Sequence, residues 1–274
     1  MLPLDHKSLP NGRTLGESVV NKIFIIGSLL GVFAVGPVNA ADMPVKAPPY
    51  VPVPYYNWTG IYVGGHIGWG AIDEDQTAVS STAAVIIIPP GTVFDTDRSN
   101  FLGGGQVGYN WQMGKWVLGV EADFSWTDAN VSTTKAGTLV ANSFRTQNAT
   151  TNWYATSTGR IGYAWDNWLL YVKGGAAWMN VNYNNNVTAL ATTFNFPGFT
   201  DTRGGWTLGV GIEQALWNNW SWKLEYDYMD FGTRRYTFLD TTGTITTMWD
   251  INTRVNAVTV GLNYRWGGSV AAKY

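Results

Sequence analysis

Ionisable side chains recur at two-residue spacing in this chain, in Glu121-Ala122-Asp123 and in Lys223-Leu224-Glu225-Tyr226-Asp227. Arg160, Lys173, Glu213 and Arg265 stand singly in similar surroundings. Side chains two residues apart share one face of a β-strand, so Glu121 sits with Asp123, and Lys223 with Glu225 and Asp227. Two carboxylates on one face are the equipment of general acid–base chemistry. Here, however, four bases are interleaved with five acids, which points to ion pairing before proton transfer. A serine hydrolase needs a base within reach of its nucleophile. The chain has two histidines, and His66 is the one outside the N-terminal leader. Without cysteine, neither a disulfide framework nor a thiolate metal site is available, and no cofactor or metal is implied. Asp73-Glu74-Asp75 has the composition of a divalent-cation site, although a solvated loop start is the simpler reading. Gly103-Gly104-Gly105 lacks the Lys-Ser or Lys-Thr pair that a phosphate loop requires.

The elements that carry these residues are alternating. In Trp206-Thr-Leu-Gly-Val-Gly-Ile-Glu213, the residues Trp206, Leu208, Val210 and Ile212 share one face, with small, polar and charged residues on the other. The pattern recurs and predicts eight strands, over 59–70, 100–112, 115–127, 152–165, 168–181, the segment around 206–213, the segment from Trp220 onward, and 253–266. Trp116, Leu118, Val120, Phe124 and Trp126 oppose Glu121, Asp123 and Ser125. Trp220, Trp222, Leu224 and Tyr226 oppose Lys223, Glu225 and Asp227. The chain is 15% aromatic and 13% charged, against roughly 25% charged for an ordinary soluble domain. Too little apolar material remains to cover so many large faces. The expected fold is therefore all-β, an eight-stranded antiparallel up-and-down transmembrane barrel, apolar toward lipid and polar toward its lumen. Mean hydropathy is too low for a bundle of membrane helices. A net charge of −2 gives no reason for a nucleic-acid partner.

Connection lengths agree. Tight turns are expected at Met113-Gly114, Asp166-Asn167 and Asn218-Asn219, and loops of roughly twenty to thirty residues around 71–99, 128–151, 182–203 and 233–252. Short turns and both ends of the barrel then face the periplasm, and the long loops face outside. Lys22 followed by the apolar run Ile23 to Val35 and the small residues ending at Ala40 reads as a cleavable signal peptide over 1–40. Residues 41–56 carry five prolines and read as an extended periplasmic leader. The barrel is expected over 57–267, with a C-terminal extension at 268–274 beyond the terminal aromatic Trp266. The expected location is the bacterial outer membrane.

The run Tyr55-Tyr-Asn-Trp-Thr-Gly-Ile-Tyr-Val-Gly-Gly65, the start Ala41-Asp-Met-Pro-Val-Lys-Ala-Pro48, Tyr171-Val-Lys-Gly-Gly175 and Gly261-Leu-Asn-Tyr-Arg-Trp266 resemble small alphaproteobacterial outer-membrane proteins of the Omp25/Omp31 type. The resemblance covers the mature chain except its external loops. It implies an OmpA-like eight-stranded barrel that is abundant at the cell surface, supports the envelope and contacts the host. It also implies peptidoglycan attachment through Ala41. Lipid, lipopolysaccharide and the outer-membrane assembly machinery are the further partners expected.

At eight strands the interior is just wide enough for side chains to fill it, so a wide porin is not expected. Glu121, Asp123, Arg160, Lys173, Glu213, Lys223, Glu225, Asp227 and Arg265 should form a lumen charge network, with His66 packed among them. The leading function is structural and non-enzymatic: a barrel that supports the envelope and displays loops. The alternative is a surface ligand-binding barrel for haem or a host contact, where a tyrosine such as Tyr183 or Tyr236 would have to ligate the iron. A narrow ion-conducting pore and a lipid-modifying enzyme stand behind these. The apolar segment Ala83 to Ile88 is expected to pack on the barrel rim.

Overall fold

The computed structural model describes residues 56–81, 89–136, 143–189, 192–217, 219–243 and 245–266. Every regular element among them is a strand: β1 (Gly60–Ser81), β2 (Val93–Met113), β3 (Trp116–Ala136), β4 (Phe144–Trp165), β5 (Trp168–Ala189), β6 (Thr192–Ala215), β7 (Trp220–Leu239) and β8 (Thr246–Trp266). Each pairs antiparallel with the next, and β8 pairs with β1 to close the ring. Hydrocarbon offers no water to an unpaired peptide group, so a sheet survives there only when it has no edge. The signal peptide, the leader up to residue 55, Ala41, the 83–88 segment and residues 267–274 lie outside the described residues, as does Asn218.

At one end the connections are short. Gly114 (φ 63°), Asp166 (φ 50°) and Asn219 (φ 70°) each adopt the left-handed conformation that tight hairpins need, and Gly, Asp and Asn tolerate it best. Above these turns the outer face is apolar. Trp116, Leu118, Val120 and Trp126 are exposed along β3, and Leu208, Val210 and Trp206 along β6. From Trp116 to Trp126 the strand climbs about 33 Å, which at a tilt of about 40° spans roughly 25 Å, the height of an outer-membrane apolar band. Aromatic rings mark both limits: Trp111, Trp165 and Trp266 near the turns, and Trp69, Trp178 and Trp206 above.

Beyond the upper ring the structure departs from the expected long loops. All eight strands continue, and the connections shrink to 82–92, 137–143, 190–191 and 240–245. The cause is a reversal in the phase of the alternation. Along β8, Val258, Val260 and Leu262 face out while Thr259, Asn263 and Arg265 are buried inside. Farther up the same strand, Trp249, Ile251, Val255 and Ala257 are buried inside and Asp250, Asn252, Arg254 and Asn256 face out. β5 does the same, with Met179, Val181 and Tyr183 buried and Asn180 and Asn182 outward. Below the switch the outside is lipid; above it the outside is water, and apolar side chains move to the interior, where they form a continuous cluster. The register shifts at Trp126/Ala129, Thr151/Trp153 and Asp230/Thr233, where the strands leave the apolar band.

Depth should therefore decide the effect of one substitution at two outward positions of β6. Leu208→Arg, inside the band, should cost about 2–4 kcal/mol, and Thr202→Arg, above it, about 0–1 kcal/mol. Equilibrium urea titration of protein folded into lipid vesicles measures both. Equal costs would mean that the band is misplaced.

Candidate functional site: a lumen filled with charge

The nine predicted charges all face the interior of the lower barrel, and the structure links them into one network. Glu121 on β3 is the hub: Arg160 lies 3.5 Å away, Lys173 3.4 Å and Lys223 3.5 Å, and the Tyr62 hydroxyl donates to it at 2.8 Å. Glu225 accepts from Lys173 at 2.5 Å, from Lys223 at 3.4 Å and from the Tyr171 hydroxyl at 2.6 Å. Asp123 and Asp227 lie 3.5 Å and 3.3 Å from Lys173. Arg160 continues the chain to Glu213 at 3.6 Å, which accepts from Arg265 at 3.1 Å, from Asn263 at 3.0 Å and from Ser221 at 2.5 Å. The Arg160 guanidinium also lies over the rings of Tyr62 and Tyr171, at 4.5 Å and 5.0 Å. These side chains are at most one-tenth exposed.

Glycines on the same inward face make the room. A Cβ at Gly104 would lie 2.8 Å from His66 Nε2, and one at Gly211 would lie 2.4 Å from Cζ of Tyr171. Large inward residues thus stand opposite absent ones.

Trp58, just before the first predicted strand, turns inward at the periplasmic end. It is fully buried, its backbone N–H donates to Gln112 Oε1 at 2.7 Å, and its carbonyl accepts from Arg265 at 2.5 Å. Arg265 also sits 4.9 Å over its ring. Val117, Leu169, Tyr171 and Ala215 complete this lower stopper.

Two arrangements have the outline of active chemistry. Gln106 Nε2 donates to Asn263, so its Oε1 accepts from His66 Nδ1 at 2.6 Å. That leaves His66 Nε2 to accept from the Ser125 hydroxyl at 2.8 Å, the tautomer of a hydrolase pair. Both residues are buried, and the small cavity beside them, lined by Asp123, Tyr154, Thr156 and Asp227, has room for about one water. An ester or amide substrate does not fit. Glu121, Asp123 and Glu225 bring carboxylate oxygens within 4.8 Å of one another, but the ammonium groups of Lys173 and Lys223 already supply the positive charge among them.

The upper barrel corrects two expectations. Asp73, Glu74 and Asp75 lie within β1, not at a loop start, and alternate across it. Glu74 turns inward to pair with Arg98 while its neighbours face out, so the three cannot converge on one cation. Tyr183 and Tyr236 are not on exposed loops. They stand inside, with rings 5.4 Å apart among Phe199 and Phe238, and neither can meet a haem from outside. Tyr236 donates to Asp201 at 2.5 Å, and burial together with that bond pushes its phenol up to about 12. Arg98, Arg145 and Arg203 were not singled out, because they fall in segments that read as loops.

The chain matches the outer membrane protein beta-barrel domain family over residues 28–266. It is 31% identical over 264 residues to the 31 kDa outer-membrane immunogenic protein of Brucella melitensis, covering 89% of this chain and 100% of that one. Identity to the 22 kDa outer membrane protein of Rhizobium leguminosarum bv. viciae is 30% over 233 residues, covering 78% and 88%. Among solved structures, OprG of Pseudomonas aeruginosa is similar with a TM-score of 0.45 and 13% identity, covering 76% of this chain and 97% of that one.

Removing the hub should leave Arg160, Lys173 and Lys223 short of one carboxylate in a buried site. Glu121→Gln should lower stability by about 3–5 kcal/mol in urea titration, with little dependence on salt. Arg235→Gln, which breaks the solvent-exposed pair with Asp250, should leave the curve unchanged. Equal sensitivity of the two would show that the lumen charges are solvated.

Proposed function

The chain belongs to the outer membrane protein β-barrel family and resides in the outer membrane, and from that premise we propose that its work is structural. It supports the envelope through its lipid-facing wall and displays its outer connections at the surface, without catalysis and without a wide pore. The observation that carries this reading is the filled lumen. Trp58 stands at the periplasmic end, the nine charges and two tyrosines occupy the middle, and aromatic residues pack the upper barrel. With the interior occupied, the outer wall and the loops are the surfaces left to act. The name immunogenic carried by the Brucella relative fits a protein displayed at the surface.

In this reading the partners are lipid and lipopolysaccharide around the apolar band, the assembly machinery at the strand ending in Trp266, and peptidoglycan at Ala41. His66 and Ser125 hold each other in place instead of a substrate. A deletion strain should become more sensitive to detergent and polymyxin while its lipid A stays unchanged; altered lipid A would favour an enzyme. In planar bilayers the purified protein should give no porin-type conductance steps. Tyr62→Ala combined with Tyr171→Ala, which empties the constriction around Arg160, should give them. Large steps from the wild-type protein would sink the structural reading.

A further inference from the structure

The outer chamber of the barrel holds more buried bases than acids. Arg98, Arg145 and Arg203 are buried there, against two buried carboxylates: Glu74, which pairs with Arg98, and Asp240, whose oxygens accept from the Thr242 hydroxyl and the Ile245 N–H. Arg98 is neutralised by Glu74. Arg203 donates to Thr253 Oγ1 at 2.5 Å and to the carbonyls of Gly232 and Ile251 at 2.8 Å and 2.9 Å. Arg145 differs from both. It is the second residue of β4 and only 6% exposed, and its guanidinium lies 3.6 Å from the ring centroid of Trp249 on β8, diametrically across the ring of strands. Its Nε has no acceptor among the described residues, and neither has Nε2 of Gln147, two residues farther along the same inward face. Lys135 is its register partner on β3. Burial, with no carboxylate to oppose it, pulls Arg145 down to about 9.

The sequence removes one remedy. Connecting residues 82–88, 137–142, 190–191 and 244 contain neither Asp nor Glu, and Asp240 in the last connection accepts bonds from its own turn, from Thr242 and the Ile245 N–H. A buried cation without a counter-charge is costly, and among the described residues no carboxylate faces Arg145, which leaves room for an anion from solution.

We propose that Arg145 and Gln147 bind a small oxyanion, a carboxylate or phosphate group, at the extracellular mouth. Trp249 covers one face of the guanidinium and leaves its edge, with donors in a planar fork, for two oxygens. Gln147 Nε2 supplies a further donor. Because both side chains point into the lumen and not toward lipid, the ligand is a free solute rather than a lipid phosphate.

The full chain refolded in detergent free of lipopolysaccharide is titrated with inorganic phosphate, and separately with acetate, at constant ionic strength by calorimetry. A saturable one-site isotherm is expected. Arg145→Met should weaken it by about tenfold or more, the value of a hydrogen bond to a charged group. Gln147→Leu should weaken it less, and Arg235→Gln, outside the barrel, should not change it. If Arg145→Met fails to refold, Arg145→Lys keeps the charge without the fork and should still weaken binding. The proposal is overturned by an absence of saturable binding, by equal affinity in the Arg145 and Gln147 variants, or by loss of binding in Arg235→Gln. Competition by added lipopolysaccharide would overturn the assignment to a free solute.

Discussion

The pairing of β8 with β1 is the constraint on which the remaining features depend. A peptide group in hydrocarbon has no alternative partner, so the sheet must close, and with eight strands it closes on a bore narrow enough for side chains to fill. Closure dictates the apolar outer face, because nothing else can meet lipid. It also decides what happens inside. Whatever points inward is removed from water and must find its partners across the bore.

That second consequence explains the composition of the lower lumen. Burying an ion costs several kcal/mol even after relaxation, and its neighbours repay this only when the geometry is good. Glu121 meets three cations and a tyrosine hydroxyl, Glu225 two cations and another tyrosine, and Glu213 two arginines, an amide and a serine. Such a network adds little net stability compared with an apolar filling of equal volume. Its effect is directional. A slip of one residue in register would send a whole face of charges into lipid, so the network penalises every wrong closure of the barrel. Apolar residues on both faces would carry no such information.

Much of this was legible in the chain. The alternation at Trp206 to Ile212 and at Trp116 to Trp126 fixed the lipid-facing wall, and the nine charges were assigned to the lumen face by spacing alone. Their pairing was not legible. Lys223 meets Glu121 across 102 residues of sequence, and that contact follows from the stagger of the strands, not from either segment. The upper strands were missed for a different reason. Asp250, Asn252, Arg254 and Asn256 alternate with Trp249, Ile251 and Val255 in a phase opposite to that of Val258 to Leu262, and a search for one phase sees only polar residues there. Trp58 was hidden because the chain enters the barrel through it, before any alternation has begun. The inward glycines were visible but silent, since their use depends on which aromatic stands opposite.

The interior is polarised along its axis, and this bears on what can pass. Near the periplasm five acids face four bases; near the outside three buried arginines stand with two buried carboxylates, Glu74 and Asp240. A cation arriving from outside first meets the positive chamber, and an anion that passes it meets the carboxylates of Glu121, Asp123 and Glu225. At a separation of about 4 Å and an effective dielectric constant of about 20, one such like-charge encounter costs about 4 kcal/mol. Packed rings, Tyr183, Phe199 and Tyr236, stand farther out than Arg203, with Phe199 four residues beyond it on β6, and offer an ion little in place of its water. An anion resting on Arg145, the second residue of β4, would lie near the outer end of the bore, far along the strand from the carboxylates of the lower lumen, so its binding does not require passage.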